Sequence, residues 1–233
     1  MDGVSFSCAE GEVTGLIGPN GAGKSTVIGA IAGKVRPTGG SICYRGEELA
    51  GQAPYRIARR GISRTYQMAS VFDRMTVLEN VLVGARSCFS DSLRGALLGP
   101  AAWRRWQEEA VDRARQLIAR CDLLPLEDQY AGELSGGQKR LVEITRALMP
   151  EATFLLLDEP MAGVNPTLAN RIADYLRDLA AGGLSILMVE HELSVVEHLC
   201  PTVVVMAEGR VILKDSMAEV RRNREVLDAY LGS

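Results

Sequence analysis

The sequence has little of what would mark several classes of protein. Its 233 residues include two histidines, and its five cysteines are scattered without a Cys-x-x-Cys pair, so neither a zinc site nor a disulfide framework is expected. No run approaches the roughly 18–20 apolar residues that a membrane-spanning helix needs. The first residues show neither the basic nor the apolar part of a secretory signal. These absences predict a cytosolic protein with reduced thiols.

Neither basic nor acidic residues are in large excess. Lysine and arginine number 26 against 29 aspartates and glutamates, a net charge of −3, which argues against a protein that coats nucleic acid. Hydrophobic residues make up 47% of the chain, enough to bury a full core, so general disorder is excluded. The length predicts one large domain, or one domain with an inserted sub-domain.

Strand-length apolar runs alternate with segments of helical period, which is typical of an α/β fold with a mostly parallel sheet. The predicted strands are residues 12–17, 40–44, 62–66, 153–157 and 185–189. A small antiparallel portion is predicted near the end of the chain, where residues 202–206 and 210–214 form a hairpin. Residues 24–32 are predicted to be a helix that ends at Gly33.

The segment from about residue 72 to residue 148 differs in character. Thr76 and Glu79 have the spacing of a capping box, and a later stretch repeats apolar residues on one helical face. That face contains Val111, Ala114, Leu117, Ile118 and Cys121. We interpret residues 72–148 as a helical sub-domain inserted between the two halves of an α/β core, residues 1–71 and 149–233, so that residues 1–233 form a single domain.

A glycine-rich turn follows the first predicted strand. Its sequence, Gly-Pro-Asn-Gly-Ala-Gly-Lys-Ser at 18–25, fits the phosphate-loop pattern G-x-x-x-x-G-K-[ST]. Glycines allow backbone N–H groups to face phosphate oxygens, the lysine adds a mobile positive charge, and the serine offers a hydroxyl to Mg²⁺. A chance match has a probability of roughly one in a hundred. The residues predicted to bind the nucleotide here are Gly18, Pro19, Asn20, Gly21, Ala22, Gly23, Lys24, Ser25 and Thr26.

A buried apolar strand, Phe-Leu-Leu-Leu at 154–157, ends in two carboxylates, Asp158 and Glu159. Asp158 and Ser25 are both predicted to bind Mg²⁺, and Glu159 is predicted to polarise the attacking water. An acidic residue after a strand is by itself more often a helix cap or a solvated turn. Its pairing with the phosphate loop favours the catalytic interpretation.

A second glycine-rich helix start lies at Leu134-Ser135-Gly136-Gly137-Gln138, and a helix N-terminus of this kind is another anion site. Here the sequence resembles the ATP-binding cassette (ABC) family, whose signature is LSGGQ, and the resemblance covers residues 11–233. It implies a P-loop NTPase fold with ATP and Mg²⁺ as cofactors. It also implies that Ser135, Gly136, Gly137 and Gln138 complete the ATP site of a second cassette in a head-to-tail dimer.

The resemblance assigns further roles by position. Gln67 follows a predicted strand where the family has its Q-loop, which implies a contact to water and Mg²⁺ that reports to the helical insertion. His191 follows another strand where the family has a histidine that senses the γ-phosphate. Residues 162–165 match the family's D-loop. By residue type alone His191 would be an ordinary surface or core histidine, and capping of the next helix explains Asn165 fully.

Several short stretches resemble one branch of the family, the ATP-binding subunits of importers of branched-chain amino acids and their relatives for urea and short amides. They are Arg-Thr-Tyr-Gln at 64–67, Met-Thr-Val-Leu-Glu-Asn at 75–80, Ala-Gly-Val-Asn-Pro at 162–166 and Val-Leu-Asp-Ala-Tyr-Leu-Gly at 226–232. The resemblance implies an ATPase that drives import and lies in the cytoplasm, on the inner face of the cell membrane.

The partners that the resemblance implies are a second ATPase subunit, identical or paralogous, integral membrane permease subunits and a solute-binding protein, with no nucleic acid. The alternative is an ABC ATPase that acts on nucleic acid or ribosomes. Those proteins usually join two cassettes in one chain or insert long coiled coils, and neither feature occurs in this sequence.

Two regions leave alternatives open. A docking surface for a permease would suit the basic and aromatic residues Arg86, Arg94 and 103–106. A solvated helix face, with tryptophan buried against the core, explains them equally well.

The family stacks an aromatic side chain on adenine, and Phe6 is the sole aromatic residue before Gly18. Alternation with Ser5 and Ser7 predicts that Phe6 points into the core. Either a strand upstream of this sequence carries the family's aromatic residue, or adenine is held otherwise, and weak nucleotide affinity is expected of the chain as given.

Overall fold

The computed structural model describes residues 1–65, 71–85 and 99–231. The chain folds as two compact units, one formed by Met1–Gln67 with Thr153–Ser233 and the other by Met68–Ala152. The sequence-based bounds of the helical sub-domain, 72 and 148, lie a few residues inside those of the second unit. No helix among the described residues is long and apolar enough to cross a membrane.

The first unit is built on a six-stranded sheet. The strands of the described chain are β1 (Val13–Ile17), β2 (Cys43–Tyr44), β3 (Glu47–Glu48), β4 (Ile62–Arg64), β5 (Phe154–Asp158), β6 (Ser185–Val189), β7 (Thr202–Ala207) and β8 (Arg210–Asp215). The order across the main sheet is β4-β5-β6-β1-β7-β8, and β2 pairs with β3 separately. The neighbours from β4 to β7 run parallel, and β8 is antiparallel to β7. The predicted fold class, mostly parallel with a small antiparallel portion, is confirmed.

Helices belong to both units. Those of the first unit are α1 (Lys24–Ile31), α2 (Pro54–Arg59), α6 (Pro166–Ala181), α7 (Leu193–Leu199), α8 (Met217–Arg222) and α9 (Arg224–Leu231). Those of the second unit are α3 (Val77–Leu82), α4 (Gly99–Ala119) and α5 (Gly136–Leu148). Two 3-10 turns, Leu124–Leu126 and Ala131–Glu133, precede α5.

The central strands of the main sheet are buried on both faces, as parallel strands between helices must be. Every residue of β1 and of β6 is buried. Side chains of β1, α1 and β5 meet in one cluster that includes Leu16, Ile28 and Leu156. Burying one such side chain stabilises the fold by about 1.5–3 kcal/mol. Phe6 is half-buried against this cluster, so the prediction that it points into the core is confirmed.

The second unit confirms the predicted capping box. The backbone N–H of Glu79 donates to the Thr76 hydroxyl at 3.1 Å, and that of Thr76 donates to the Glu79 carboxylate at 2.8 Å. Asn80 is fully buried in the same helix and accepts from the N–H of Phe72 at 2.8 Å, which fixes the segment before α3. The predicted apolar face of α4 is buried except at Val111, which is half-buried.

The strand predicted at residues 40–44 is wrong in extent, because only Cys43 and Tyr44 pair. Gly40 has a left-handed backbone (φ 83°), which breaks the extended conformation. The N–H of Ile42 donates to the Glu48 carboxylate at 2.8 Å. It is therefore not available for hydrogen bonding to a neighbouring strand. The strand at 62–66 begins as predicted and ends at Arg64; Tyr66 lies outside the described residues.

The tryptophans of the second unit lie together on α4. Trp103 has 43% of its surface exposed, and its ring centroid is 5.1 Å from that of Trp106. Arg105 pairs with the exposed Glu109 at 3.0 Å, as on a solvated helix face. Arg86 and Arg94, the other members of the predicted docking surface, lie outside the described residues.

Candidate nucleotide-binding site

Three loops leave the main sheet at the same edge. Leu16 of β1 and Asp158 of β5 both pair with Val189 of β6, so these strands end level with one another. The carboxyl ends of parallel strands are the usual place for ligand sites in α/β folds. The glycine-rich loop, the Asp158–Glu159 pair and His191 therefore emerge side by side.

The glycine-rich loop needs glycine where it turns away from β1. A Cβ atom on Gly18 would collide with the carbonyl oxygen of Met206 in β7. Gly23 has a φ of 100° and precedes α1 without a side-chain cap. The first N–H groups of α1 thus lack the side-chain acceptor that usually satisfies a helix start, and such groups bind anions.

Lys24 lies buried at the start of α1, with 6% of its surface exposed. Its ammonium donates to the carbonyl oxygens of Gly18 at 2.7 Å and Pro19 at 2.9 Å. Burial lowers the pKa of Lys24, and the negative charges of Glu159 and Asp158 oppose that shift. These two hydrogen bonds hold the Lys24 side chain against the loop that phosphate oxygens would occupy.

Asp158 is almost fully buried at the end of β5, with 2% exposed. The Arg64 guanidinium of the neighbouring β4 donates to its Oδ2 at 3.1 Å. Sequence reasoning missed this ion pair, since it treated Arg64 only as part of a family pattern. The signal was available in principle, because charged residues at the ends of adjacent strands meet at one edge.

The residues assigned to Mg²⁺ offer suitable chemistry. Asp158 contributes a carboxylate, and Ser25 an exposed hydroxyl directly after Lys24. Oxygen donors of these kinds are what the hard cation Mg²⁺ prefers. Gln67, the third assigned ligand, lies outside the described residues.

Glu159 and His191 are brought together by the ends of β5 and β6. The Glu159 carboxylate lies 3.0 Å from Nε2 of His191, and the Glu159 N–H donates to the carbonyl of Val189 at 2.9 Å. Glu159 has a left-handed backbone (φ 51°), which costs a non-glycine residue about 1–2 kcal/mol. Strain of this kind is concentrated at functional sites.

Asn165 caps α6, as predicted. Its side chain accepts from the N–H of Leu168 at 3.0 Å, and Pro166 occupies the first turn. Any role across a dimer interface stays a prediction. His198, the other histidine, is exposed on α7.

The signature residues begin α5 in the second unit. Ser135 accepts from the N–H of Gln138 at 3.3 Å, and the Gln138 side chain accepts from the N–H of Ser135 at 2.9 Å. This capping box was not predicted, although the Ser-x-x-Gln spacing signals it. Ser135 and Gly136 are exposed, and a Cβ on Gly136 would meet no atom within 4 Å.

The body of α5 is anchored by burial. Leu141, Ile144 and Leu148 are buried, and the buried Arg140 guanidinium donates to the Glu143 carboxylate at 2.5 Å. The buried part of α5 thus holds the exposed residues at the start of the helix in a fixed position.

A phosphate loop between a buried strand and a helix, with an acidic pair at the end of another parallel strand of the same sheet, defines a P-loop nucleotide-binding protein. The family model described as ABC transporter matches residues 1–162. The chain belongs to the ABC transporter family.

Relatives match over the full chain. It is 37% identical to the high-affinity branched-chain amino acid transport ATP-binding protein LivG of Salmonella typhimurium, over 100% of this chain and 91% of that protein. It is 35% identical to the probable branched-chain amino acid transport ATP-binding protein LivG of Archaeoglobus fulgidus, over 100% and 90%.

Solved structures agree with the fold. A nucleotide-free ATP-binding cassette from an ABC transporter superposes with a TM-score of 0.86 at 36% identity, over 100% of this chain and 93% of that one. An ATP-binding cassette of an ABC transporter in its ADP conformation gives a TM-score of 0.86 at 37% identity, over 100% and 92%.

Proposed function

We propose that this chain hydrolyses ATP to power a membrane transporter that imports branched-chain amino acids or similar small polar solutes. The observation that carries the ATPase assignment is the Glu159–His191 contact of 3.0 Å, at the sheet edge that also bears the Lys24 loop. The choice of solute is supported by the relatives named for branched-chain amino acid transport.

ATP binding begins with the phosphate loop, Gly18 to Thr26. The N–H groups of the loop and of the first turn of α1 bind the phosphate oxygens. The Lys24 ammonium exchanges its present acceptors, the carbonyls of Gly18 and Pro19, for phosphate oxygens. The carbonyl oxygens are neutral and the phosphate oxygens carry negative charge, so the ammonium gains coulombic attraction in the exchange.

Ser25 and Asp158 would hold Mg²⁺, with Gln67 as a further ligand. When bound, Mg²⁺ would supply positive charge that stabilises the charge developing on the phosphate groups. The ion pair with Arg64 fixes the Asp158 carboxylate, so that its orientation does not depend on the metal.

Hydrolysis needs a base beside the γ-phosphate, and Glu159 takes that role. Its carboxylate accepts a proton from the attacking water as the water oxygen bonds to the γ-phosphorus, and the bond from that phosphorus to the bridging oxygen breaks to release ADP. His191 orients Glu159 through the 3.0 Å contact and is placed to respond to the γ-phosphate.

The signature residues act on the nucleotide of a second cassette. Ser135, Gly136, Gly137 and Gln138 form a helix start that is exposed at Ser135 and Gly136. Its first turn has no acidic residue, so its dipole can face phosphate without repulsion. Two cassettes, identical or paralogous, then close head to tail over two ATP molecules, and hydrolysis releases them.

Replacing Glu159 by glutamine tests the ATPase assignment. We expect turnover to fall roughly 10²–10⁴-fold, with ATP binding retained because the phosphate loop is intact. Turnover is measured by phosphate release and binding by a fluorescent ATP analogue. Glu197→Gln, an exposed residue of α7, is the matched control. Unchanged turnover in Glu159→Gln would remove Glu159 from its role.

The partners follow from the import assignment. They are integral membrane permease subunits, reached from the cytoplasmic face of the membrane, and a solute-binding protein in the complete system. Affinity purification of this chain from detergent-solubilised membranes should recover a hydrophobic permease. Recovery of ribosomes or DNA in its place would contradict the transport assignment.

A further inference from the structure

A buried carboxylate outside the residues assigned to the reaction lies directly before His191. Glu190 has 4% of its surface exposed, and its side chain accepts two backbone hydrogen bonds. The N–H of Met161 donates to Oε1 at 2.8 Å, and the N–H of His191 donates to Oε2 at 3.2 Å. Burial raises the pKa of Glu190, these N–H groups oppose the shift, and the Glu159 charge adds to it.

The two donors belong to the segments that carry the catalytic pair. Met161 lies two residues after Glu159, and the N–H of Ala162 donates to the Glu159 carbonyl at 3.2 Å. Three contacts therefore link these two segments in a closed loop. Glu159 contacts the His191 ring, the His191 backbone contacts Glu190, and Glu190 contacts the Met161 backbone.

A carboxylate is costly to bury, and an apolar residue would fill the same space at the end of β6 without that cost. Only a carboxylate on a side chain of this length offers one acceptor oxygen to each of two separate N–H groups. A glutamine would keep one acceptor and turn its NH₂ group toward the second donor.

We propose that Glu190 is a positioning residue, which fixes the His191 backbone to the segment after Glu159 so that the imidazole stays within reach of the Glu159 carboxylate. Through Met161 it also links His191 to the D-loop, residues 162–165. This inference rests on the proposed ATPase function. A displacement of about 1 Å at a reacting group can cost 10²-fold in rate.

The test compares Glu190→Gln with Glu192→Gln, an exposed neighbour of His191 whose carboxylate accepts from the Ser194 hydroxyl at 2.9 Å. In Glu190→Gln we expect kcat to fall about tenfold or more and KM for ATP to stay within about twofold. Glu192→Gln should leave both within about twofold. Equal changes in kcat and KM would overturn the proposal, because positioning of the catalytic pair affects the chemical step and not binding.

A second readout does not depend on activity. The chain has two histidines, so the imidazole region of an NMR spectrum contains two side chains, with His198 as an internal standard. In Glu190→Gln the His191 imidazole signals should move toward those of Glu159→Ala, which lacks the contact, while those of His198 stay in place. If they remain where Glu192→Gln leaves them, the proposal is wrong.

Glu190→Asp repeats both measurements if the glutamine variant does not fold, because it keeps the charge but is one methylene shorter and reaches at most one donor. It should show the same kcat loss and the same shift at His191. A failure of the ATPase function is seen separately: Glu159→Gln would then turn over as fast as the wild type, whatever Glu190 does.

Discussion

Two glycine-rich helix starts, those of α1 and α5, occur among the described residues, and they are built in opposite ways. The start of α1 has a left-handed glycine, Gly23, in place of a capping side chain, and it brings its own cation, Lys24. At the start of α5, the Ser135–Gln138 capping box provides side-chain acceptors for the backbone N–H groups of both residues. Its nearest lysine in sequence, Lys139, is paired with Asp73 at 3.2 Å.

The two helix starts therefore differ in the anions that each can bind. An uncapped helix start with a buried cation can hold a triphosphate on its own. A self-capped start with its lysine paired offers a helix dipole and an exposed turn, which is a weaker anion site. The second start is therefore suited to complete a site whose main binding groups come from another chain.

The largest effect is expected from removing the cation of the first start. Lys24→Ala should lower turnover by about 10²–10³-fold and weaken ATP binding, because charge stabilisation of the phosphates is lost. Lys139→Ala is the matched change at the second start and should stay within about threefold. Phosphate release and ATP-analogue titration measure the two effects. Equal losses in the two variants would end the distinction between the starts.

A smaller loss is expected from blocking the second start. Ser135→Arg places a long side chain where the partner's nucleotide would dock, so turnover should fall by roughly 10²-fold, the scale of one lost oxyanion donor. Binding of an ATP analogue to the monomeric chain should stay within about twofold. Reduced binding by the monomer would instead indicate that the signature acts on its own chain's nucleotide.

The smallest effect concerns stability. Ser135→Ala removes a cap and should lower the free energy of unfolding by about 1 kcal/mol, which is a melting-temperature shift of about 2–4 °C at this chain length. Thr76→Ala removes the other capping box of the second unit and should cost about the same. Only the Ser135 variant should also lose turnover. If both variants lose turnover alike, the signature effect is only one of stability.

Much of the site could be predicted because it depends on short-range sequence. The phosphate loop, the strand before Asp158 and the capping pattern at Thr76 each have their signal within ten residues or so, and the structure shows the elements they predict. The role of His191 as a sensor of the γ-phosphate followed only from the family resemblance, since a histidine after a strand has no chemical signature of its own. Its contact with Glu159 was not predicted.

The rest depends on strand order. The Arg64–Asp158 ion pair requires β4 to lie beside β5, and the bond from Met161 to Glu190 requires β5 beside β6. Their partners are far apart in sequence, so neither contact is visible to pattern reasoning. The shortened strand at Cys43 has a local cause instead, because a Glu48 side chain competes for the Ile42 N–H.

The proposed mechanism requires the Lys24 loop of one chain and the Ser135 turn of another to form one ATP site, and a mixture of two inactive variants tests this requirement. In a head-to-tail pair of Lys24→Ala with Ser135→Arg, one site carries both defects and the other carries none. An equimolar mixture should regain about a quarter of the wild-type rate per chain, since half of the pairs are mixed and each has one intact site. A mixture no more active than its separate components would contradict a site shared between two copies of this chain.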